Sequence, residues 1–193
     1  YSGMEGGNAL AEILYGDCNP SGKLPVTFPR SPEQLPFFDK DADRITYDAY
    51  HGYFLADREK YRVAYPFGFG LSYTRFSYDD LRVSRSAAGV DDEVTVSVAV
   101  TNTGRRVGDE IVQIYVGCVG SRVERHVKDL RGFGRLHLEP GERRVLSRTL
   151  RIRDLAFYDV ESRRWSVEKI DYLVQVGPSS REECLLTARI SIR

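Results

Sequence analysis

Tyr65-Pro66-Phe67-Gly68-Phe69-Gly70-Leu71-Ser72-Tyr73-Thr74 is the stretch on which the reading of this chain turns. In an extended backbone, alternate side chains point to opposite sides. Tyr65, Phe67, Phe69, Leu71 and Tyr73 then share one aromatic-rich face, and Pro66, Gly68, Gly70 and Ser72 leave the other almost bare. A bare face lets a second backbone approach closely, and an aromatic face supplies a large apolar area for burial. The stretch therefore predicts a structural seam between two packed units, carried by Tyr65, Phe67, Gly68, Phe69, Gly70 and Tyr73.

Downstream of the seam, Arg75 to Arg193 reads as strand after strand. Val94, Val96, Val98 and Val100 alternate with Thr95, Ser97, Ala99 and Thr101. Ile111 to Val116 follows the turn around Asn102-Thr103-Gly104. Leu130–Leu138 and Val145–Ile152 flank Glu139-Pro140-Gly141-Glu142, and two more alternating runs cover 172–176 and 186–192. With Phe76–Val83 this makes about seven strands with turn signals between them, the pattern of a Greek-key β-sandwich. Most runs have one apolar and one polar face, as two packed antiparallel sheets require.

Upstream, two shorter zones precede the sandwich. In residues 1–30, Ser2 to Gly7 reads as a flexible loop. Ala9, Leu10, Ile13 and Leu14 mark one face of a short helix that Asn8 can cap and Gly16 can end. Asn19-Pro20-Ser21-Gly22 reads as a turn, and Leu24 to Pro29 as an extended edge. This zone is too small to fold alone, so its helix needs an apolar surface from elsewhere. Residues 31–74 read as irregular, a strap laid across a neighbouring unit and ending in the seam.

Charge and composition narrow the function. Lys plus Arg number 28 and Asp plus Glu 28, for a formal net charge of zero. That balance argues against nucleic acid or an anionic membrane as main partner. No apolar run approaches the roughly 20 residues of a membrane span. Cys18, Cys118 and Cys184 are too few and too far apart for a disulfide framework or a zinc site. They read as part-buried free thiols, which leans towards a reducing, cytoplasmic compartment.

Several motifs invite chemistry, and each is set against a plainer alternative. Asp39-Lys40-Asp41-Ala42-Asp43 mimics the start of a calcium loop but has Arg44 and Tyr50 where Gly and Glu are required, so it reads as a solvated acidic loop. His51, His126 and His137 lack a second metal ligand at useful spacing, and no metal site is assigned. Glu5 sits in a Gly-rich loop before a helix, where it either borders a ligand crevice or caps the helix or balances its positive end. Trp165 and Asp154–Asp159 suggest rings for stacking on sugars, but a buried core Trp and a corner Tyr are the expected reading. Arg143, Arg144, Arg148, Arg151 and Arg153 read as a solvated face.

Across nearly the whole chain the motifs resemble glycoside hydrolase family 3, the β-glucosidase and β-xylosidase family. Tyr1 to Gly16 resembles the family's Pro-Gly-Gln-Glu-Gly-Gly loop and following helix. Asn19-Pro20-Ser21-Gly22-Lys23-Leu24-Pro25-Val26-Thr27-Phe28-Pro29 and the aromatic seam are specific to it. Gly108–Val116, Lys128–Phe133 and Asp154–Asp159 resemble its fibronectin type III-like C-terminal domain. Met4 stands where Gln is frequent, and Glu168-Lys169-Ile170-Asp171-Tyr172 where a Glu-Pro-Gly-Glu-Tyr turn is common.

The resemblance implies a mainly β chain: an immunoglobulin-like sandwich, 75–193, preceded by a short remnant of an α/β sandwich domain, 1–30. It implies a part of a retaining β-glycosidase that needs no cofactor. The nucleophilic Asp of such enzymes lies in a (β/α)-barrel and the acid/base Glu further upstream in the α/β domain, so no catalytic residue is assigned here. Glu5 matches a loop Glu and is at most substrate-adjacent. The implied partners are the catalytic barrel and the rest of the α/β domain, with a β-linked sugar as substrate of the complete enzyme. The alternative is a stand-alone, non-catalytic carbohydrate- or protein-binding β-sandwich module.

Overall fold

The computed structural model describes residues 3–193. Tyr1 and Ser2, where the expected loop begins, lie outside the described residues. Helix α1 spans Gly6–Tyr15 and α2 spans Gly52–Arg58. Ten strands follow among the described residues: β1 Phe76–Val83, β2 Ala87–Ala88, β3 Glu93–Asn102, β4 Gly108–Val119, β5 Asp129–Leu138, β6 Arg143–Arg151, β7 Phe157–Asp159, β8 Arg164–Ser166, β9 Asp171–Gly177 and β10 Leu186–Ile192.

Two sheets face each other. One has the order β1-β3-β6 and the other β2-β10-β9-β4-β5; β7 and β8 form a separate hairpin. All pairings are antiparallel except the short β2–β10 contact. Val94, Val96, Val98 and Val100 of β3 point into the core. They meet Val112, Ile114 and Val116 of β4, Tyr172, Val174 and Val176 of β9, and Ile190 and Ile192 of β10. Fully burying each such aliphatic side chain contributes about 1.5–3 kcal/mol. The seven long strands are the seven alternating runs of the sequence.

Strand β4 departs from simple alternation because both of its faces are covered. Val112, Ile114 and Val116 face the core, while Gln113 and Tyr115 on the other face are also buried. The strap lies over that outer face, which explains why Ile111 to Val116 is apolar on both faces apart from Gln113.

The strap is not wholly irregular. Helix α2 departs from the irregular strap that the sequence suggests: it is short and lacks the usual glycine end signal. Lys60, not glycine, takes the left-handed position after it at φ 54°, while the amide of Tyr61 closes onto the carbonyl of Ala56 at 2.8 Å. Helix α1 ends as expected at Gly16, φ 83°. The N-cap residue at its start is not Asn8, which lies inside the helix, but Glu5, as the plainer reading of that residue allows.

Two further expectations fail. Trp165 is 71% exposed and Tyr158 50% exposed, so neither is a core or corner residue. Their positions are directly opposite in the β7–β8 hairpin, whose other face turns inward. The corner role falls to Tyr172, buried at the start of β9 with its hydroxyl donating to the carbonyl of Glu168 at 3.2 Å. Cys18 and Cys184 are exposed, and only Cys118 is part-buried. The acidic loop at 39–43 and the arginines of β6 are exposed, as their sequence suggests.

Candidate functional site: the seam

The seam stretch is not a continuous strand. Pro66 to Phe69 forms a tight turn, with the amide of Phe69 donating to the carbonyl of Pro66 at 3.1 Å and Gly68 at φ 77°. A positive φ at the third position of such a turn is what favours glycine there. The turn breaks the alternation. Pro66 and Gly68 are buried, Phe67 and Phe69 half-buried, and Leu71 and Tyr73 exposed. The single aromatic face expected for Tyr65 through Tyr73 is therefore split in two.

Close backbone approach does occur on the glycine side. The amide of Leu24 donates to the carbonyl of Phe69 and that of Gly68 to Leu24, both at 2.8 Å. Phe28 pairs with Tyr65 in an antiparallel bridge, and their rings meet edge to face at 6.2 Å. A Cβ on Gly70 would lie 2.5 Å from the carbonyl oxygen of Gly22. Residues 22–28 and 64–70 thus zip together, each supplying partners for backbone groups that cannot be left unpaired.

On the other side the turn is keyed into the sandwich. Gln113 donates from Nε2 to the carbonyls of Gly68 at 3.0 Å and Pro178 at 2.7 Å, and accepts from the Tyr115 hydroxyl at 2.5 Å. The amide of Ser180 donates to the carbonyl of Phe67 at 2.9 Å. Phe67 stacks on Tyr53 of α2 with ring centroids 5.0 Å apart, and Tyr53 meets Tyr115 edge on at 6.1 Å. The Tyr53 hydroxyl accepts from the amide of Leu130 at 3.1 Å. Burial pushes the Tyr53 phenol up to about 12.

Helix α2 is also held by charge. Lys128 Nζ donates to Asp57 Oδ2 at 2.6 Å, and the Lys128 side chain is only 3% exposed. Burial raises the pKa of Asp57 against the lowering influence of Lys128. Beside the pair, Phe54 stacks on His126 at 3.7 Å, and His126 bonds Asp129 at 2.9 Å. His126 is therefore a packed seam residue.

A second buried cluster joins the N-terminal segment to the sandwich. Lys23 Nζ reaches both carboxylate oxygens of Glu110, at 3.2 and 3.3 Å, and the Tyr78 hydroxyl donates to Glu110 at 2.6 Å. Burial, reinforced by the Glu110 charge, drives the Tyr78 pKa well above the usual phenol range. These groups line a cleft of about 590 Å³ bordered by Phe69, Phe76 and Leu186. Asn19, read from sequence as part of a turn, ties three segments together. It donates to the carbonyl of Val107 at 2.8 Å and accepts from the Tyr73 amide at 2.8 Å and the Ser72 hydroxyl at 3.1 Å. Tyr73 in turn donates its hydroxyl to the carbonyl of Ile13 at 2.6 Å.

Glu5 takes no part in the seam. It is exposed at the start of α1, where Oε2 accepts from Asn8 Nδ2 at 2.6 Å. Tyr53, Asp57, Lys128, Gln113, Lys23, Glu110 and Asn19 were not singled out from sequence. The signal for Gln113 was present: an amide inside the apolar run 111–116 requires buried partners. Among the described residues no group of three or more His, Cys, Asp or Glu could hold a metal ion, and no helix is long and apolar enough to cross a membrane.

Comparison with known proteins places this geometry. Residues 1–73 match the glycosyl hydrolase family 3 C-terminal domain, and residues 110–180 match the fibronectin type III-like domain. A β-glucosidase from Kluyveromyces marxianus is 41% identical over 189 residues, covering 93% of this chain and 22% of that protein. A β-xylosidase from Formosa agariphila is 36% identical, covering 100% of this chain and 26% of that protein. The crystal structure of the β-D-glucoside glucohydrolase from Trichoderma reesei superposes with a TM-score of 0.88 at 33% identity, covering 99% of this chain and 29% of that one. The chain spans about a quarter of the length of the relatives it matches. It belongs to glycoside hydrolase family 3 and corresponds to the C-terminal portion of that family's enzymes.

Proposed function

We propose that this chain serves as the structural C-terminal part of a retaining β-glycosidase of the β-glucosidase type. It completes the α/β domain of the enzyme and braces that domain against the sandwich. The catalytic carboxylates, the barrel and the sugar site belong to the upstream parts of such an enzyme. The double-displacement route needs two carboxylates about 5–5.5 Å apart, and we assign neither to this chain.

The observation that carries this reading is helix α1. None of its residues is buried, and Leu14 is 70% exposed with Leu10 and Tyr15 beside it. A ten-residue helix is marginal in water without tertiary packing. Its apolar side therefore fits a partner, and the rest of an α/β domain supplies one. A stand-alone binding module would have no use for this helix or for the seam that fixes residues 19–28 to the sandwich.

The test is a chimera in which this chain replaces the corresponding segment of the Kluyveromyces marxianus enzyme. We expect the chimera to hydrolyse nitrophenyl β-glucoside and the isolated chain to hydrolyse none. Turnover by the isolated chain that disappears on mutating one of its own carboxylates would overturn the reading. So would a folded chimera without activity.

A further inference from the structure

The β7–β8 hairpin carries the exposed aromatic pair that the bracing role leaves unused. Tyr158 and Trp165 lie on its outer face with ring centroids 5.8 Å apart and planes at 75°. The inner face is anchored. Phe157 lies under the guanidinium groups of Arg122 and Arg125 at 5.3 and 5.4 Å, and Asp159 is buried on Arg122. The hairpin thus holds two rings in a fixed corner open to solvent.

Tyr158 is also a wall of a pocket of about 280 Å³. Its remaining walls include Arg122, Glu124, Asp159 and Glu161, so that guanidinium donors and carboxylate acceptors surround a space about the size of one sugar ring. Polar groups of both signs beside an aromatic face suit a neutral, polyhydroxylated ligand whose C–H face stacks and whose hydroxyls both donate and accept. A protein partner fits less well. The exposed apolar patch is confined to Tyr158, Val160 and Trp165 and is interrupted by the exposed charges of Glu161, Arg163 and Arg164. That falls far short of the roughly 800 Å² per partner of a stable protein interface.

The geometry points to a carbohydrate-binding subsite on the sandwich, in which Tyr158 and the adjoining pocket hold one pyranose of a neutral oligosaccharide and Trp165 stacks on the next. It lies in the sandwich, to which the proposed function assigns no catalytic carboxylate, and so would hold an oligosaccharide without cleaving it. Only the choice of glucans as probes rests on the glycosidase reading. The readout is binding, not turnover, so failure of the subsite and failure of that reading are separate results.

Trp165 is the only tryptophan in the chain, which makes its emission a direct reporter. The full chain is titrated with cellopentaose and with laminaripentaose while Trp165 emission is followed, and its mobility is compared in gels with and without soluble β-glucan. The expected result is a saturable emission change with a dissociation constant of order 1 mM and retardation by glucan. Tyr158→Ala should weaken binding about tenfold, the loss of one stacked ring, with an unchanged melting temperature. Trp165→Ala should abolish the retardation. No emission change up to about 20 mM of either oligosaccharide, some twenty times that dissociation constant, overturns the subsite. Equal retardation of the parent and a Tyr158→Ala/Trp165→Ala variant also overturns it. So does sedimentation showing that the patch mediates self-association while glucan has no effect.

Discussion

The side-chain amide of Gln113 occupies the space that a side chain on Gly68 would need. Gln113 cannot swing away without breaking its bonds to Gly68, Pro178 and Tyr115, all inside a buried site. Gly68 also sits at φ 77°, where a β-branched residue is strained. Both effects act in the same direction. Gly68→Val should therefore destabilise by more than about 3 kcal/mol, read by chemical denaturation of the full chain. Gly3→Ala, at φ 72° with open space around it, isolates the backbone contribution and should cost about 1 kcal/mol or less. Similar melting of Gly68→Val and the parent would mean that the turn is not keyed into the sandwich.

The ring stack predicts a graded response along the seam. Phe67 is half-buried between Tyr53 and the turn, so Phe67→Ala should cost about 2 kcal/mol, below the 3–5 kcal/mol of a fully buried ring. Leu71 shares the face that simple alternation assigns to Phe67, yet it is 71% exposed. Leu71→Ala should fall within about 0.5 kcal/mol of the parent. Equal losses at the two positions, measured by denaturant midpoint, would restore the extended seam that the turn at Gly68 breaks.

That contrast shows where a sequence reading holds. Alternation is reliable in β3 and β9, where Val94, Val96, Val98 and Val100 and Tyr172, Val174 and Val176 meet the core and the opposite face is mostly exposed or half-buried, because burial there largely follows the two-residue period. It failed at 65–73 because one left-handed glycine reverses the chain, and periodicity carries no information past such a point. It was silent about α2, whose seven residues are held by Tyr53, Asp57 and Phe54 contacting residues some 70 positions away in the chain. The Trp165 error has a different cause. A lone tryptophan in a sandwich is usually core, but Trp165 lies on a short separate hairpin whose inner face is already filled by Phe157 and Asp159. Asn19, Lys23 and Glu110 are not legible because each is explained by a partner far off in sequence, whereas Gln113 is legible as a buried amide but not its partners.

The Lys23–Glu110 pair should behave as a desolvated ion pair. Both side chains are largely buried, and Tyr78 holds Glu110 in place. Removing one charge strands the other, which costs about 3–5 kcal/mol, whereas removing both is far milder. We therefore expect Lys23→Met to destabilise by about 3 kcal/mol and Lys23→Met/Glu110→Gln to recover to within about 1 kcal/mol of the parent. A strictly additive double variant, measured by the same denaturation, would show that the two side chains do not interact in solution.

Asp159 sets the acid response of the β7–β8 hairpin. It accepts from Ser162 Oγ at 2.8 Å, from Arg122 Nη2 at 2.6 Å and from the amide of Glu161 at 3.1 Å. The Ser162 hydroxyl and the Arg122 guanidinium hold its carboxyl at about 2, below the usual 3.8. A lowered carboxyl pKa means that the folded hairpin binds fewer protons than the unfolded one. The stability it contributes is therefore fully present above about pH 4 and is lost as the pH falls towards 2. Trp165 sits one residue from Arg164, the cross-strand partner of Asp159, so its emission reports local opening of the hairpin. In the parent, Trp165 emission should change between pH 4 and 2 ahead of the loss of far-ultraviolet β-sheet signal. Asp159→Asn cannot titrate, so its emission should already be shifted at neutral pH and stay flat through that window. An identical acid transition in Asp159→Asn would show that another group governs the hairpin, and that the Arg122–Asp159 anchor does not hold the two rings in place.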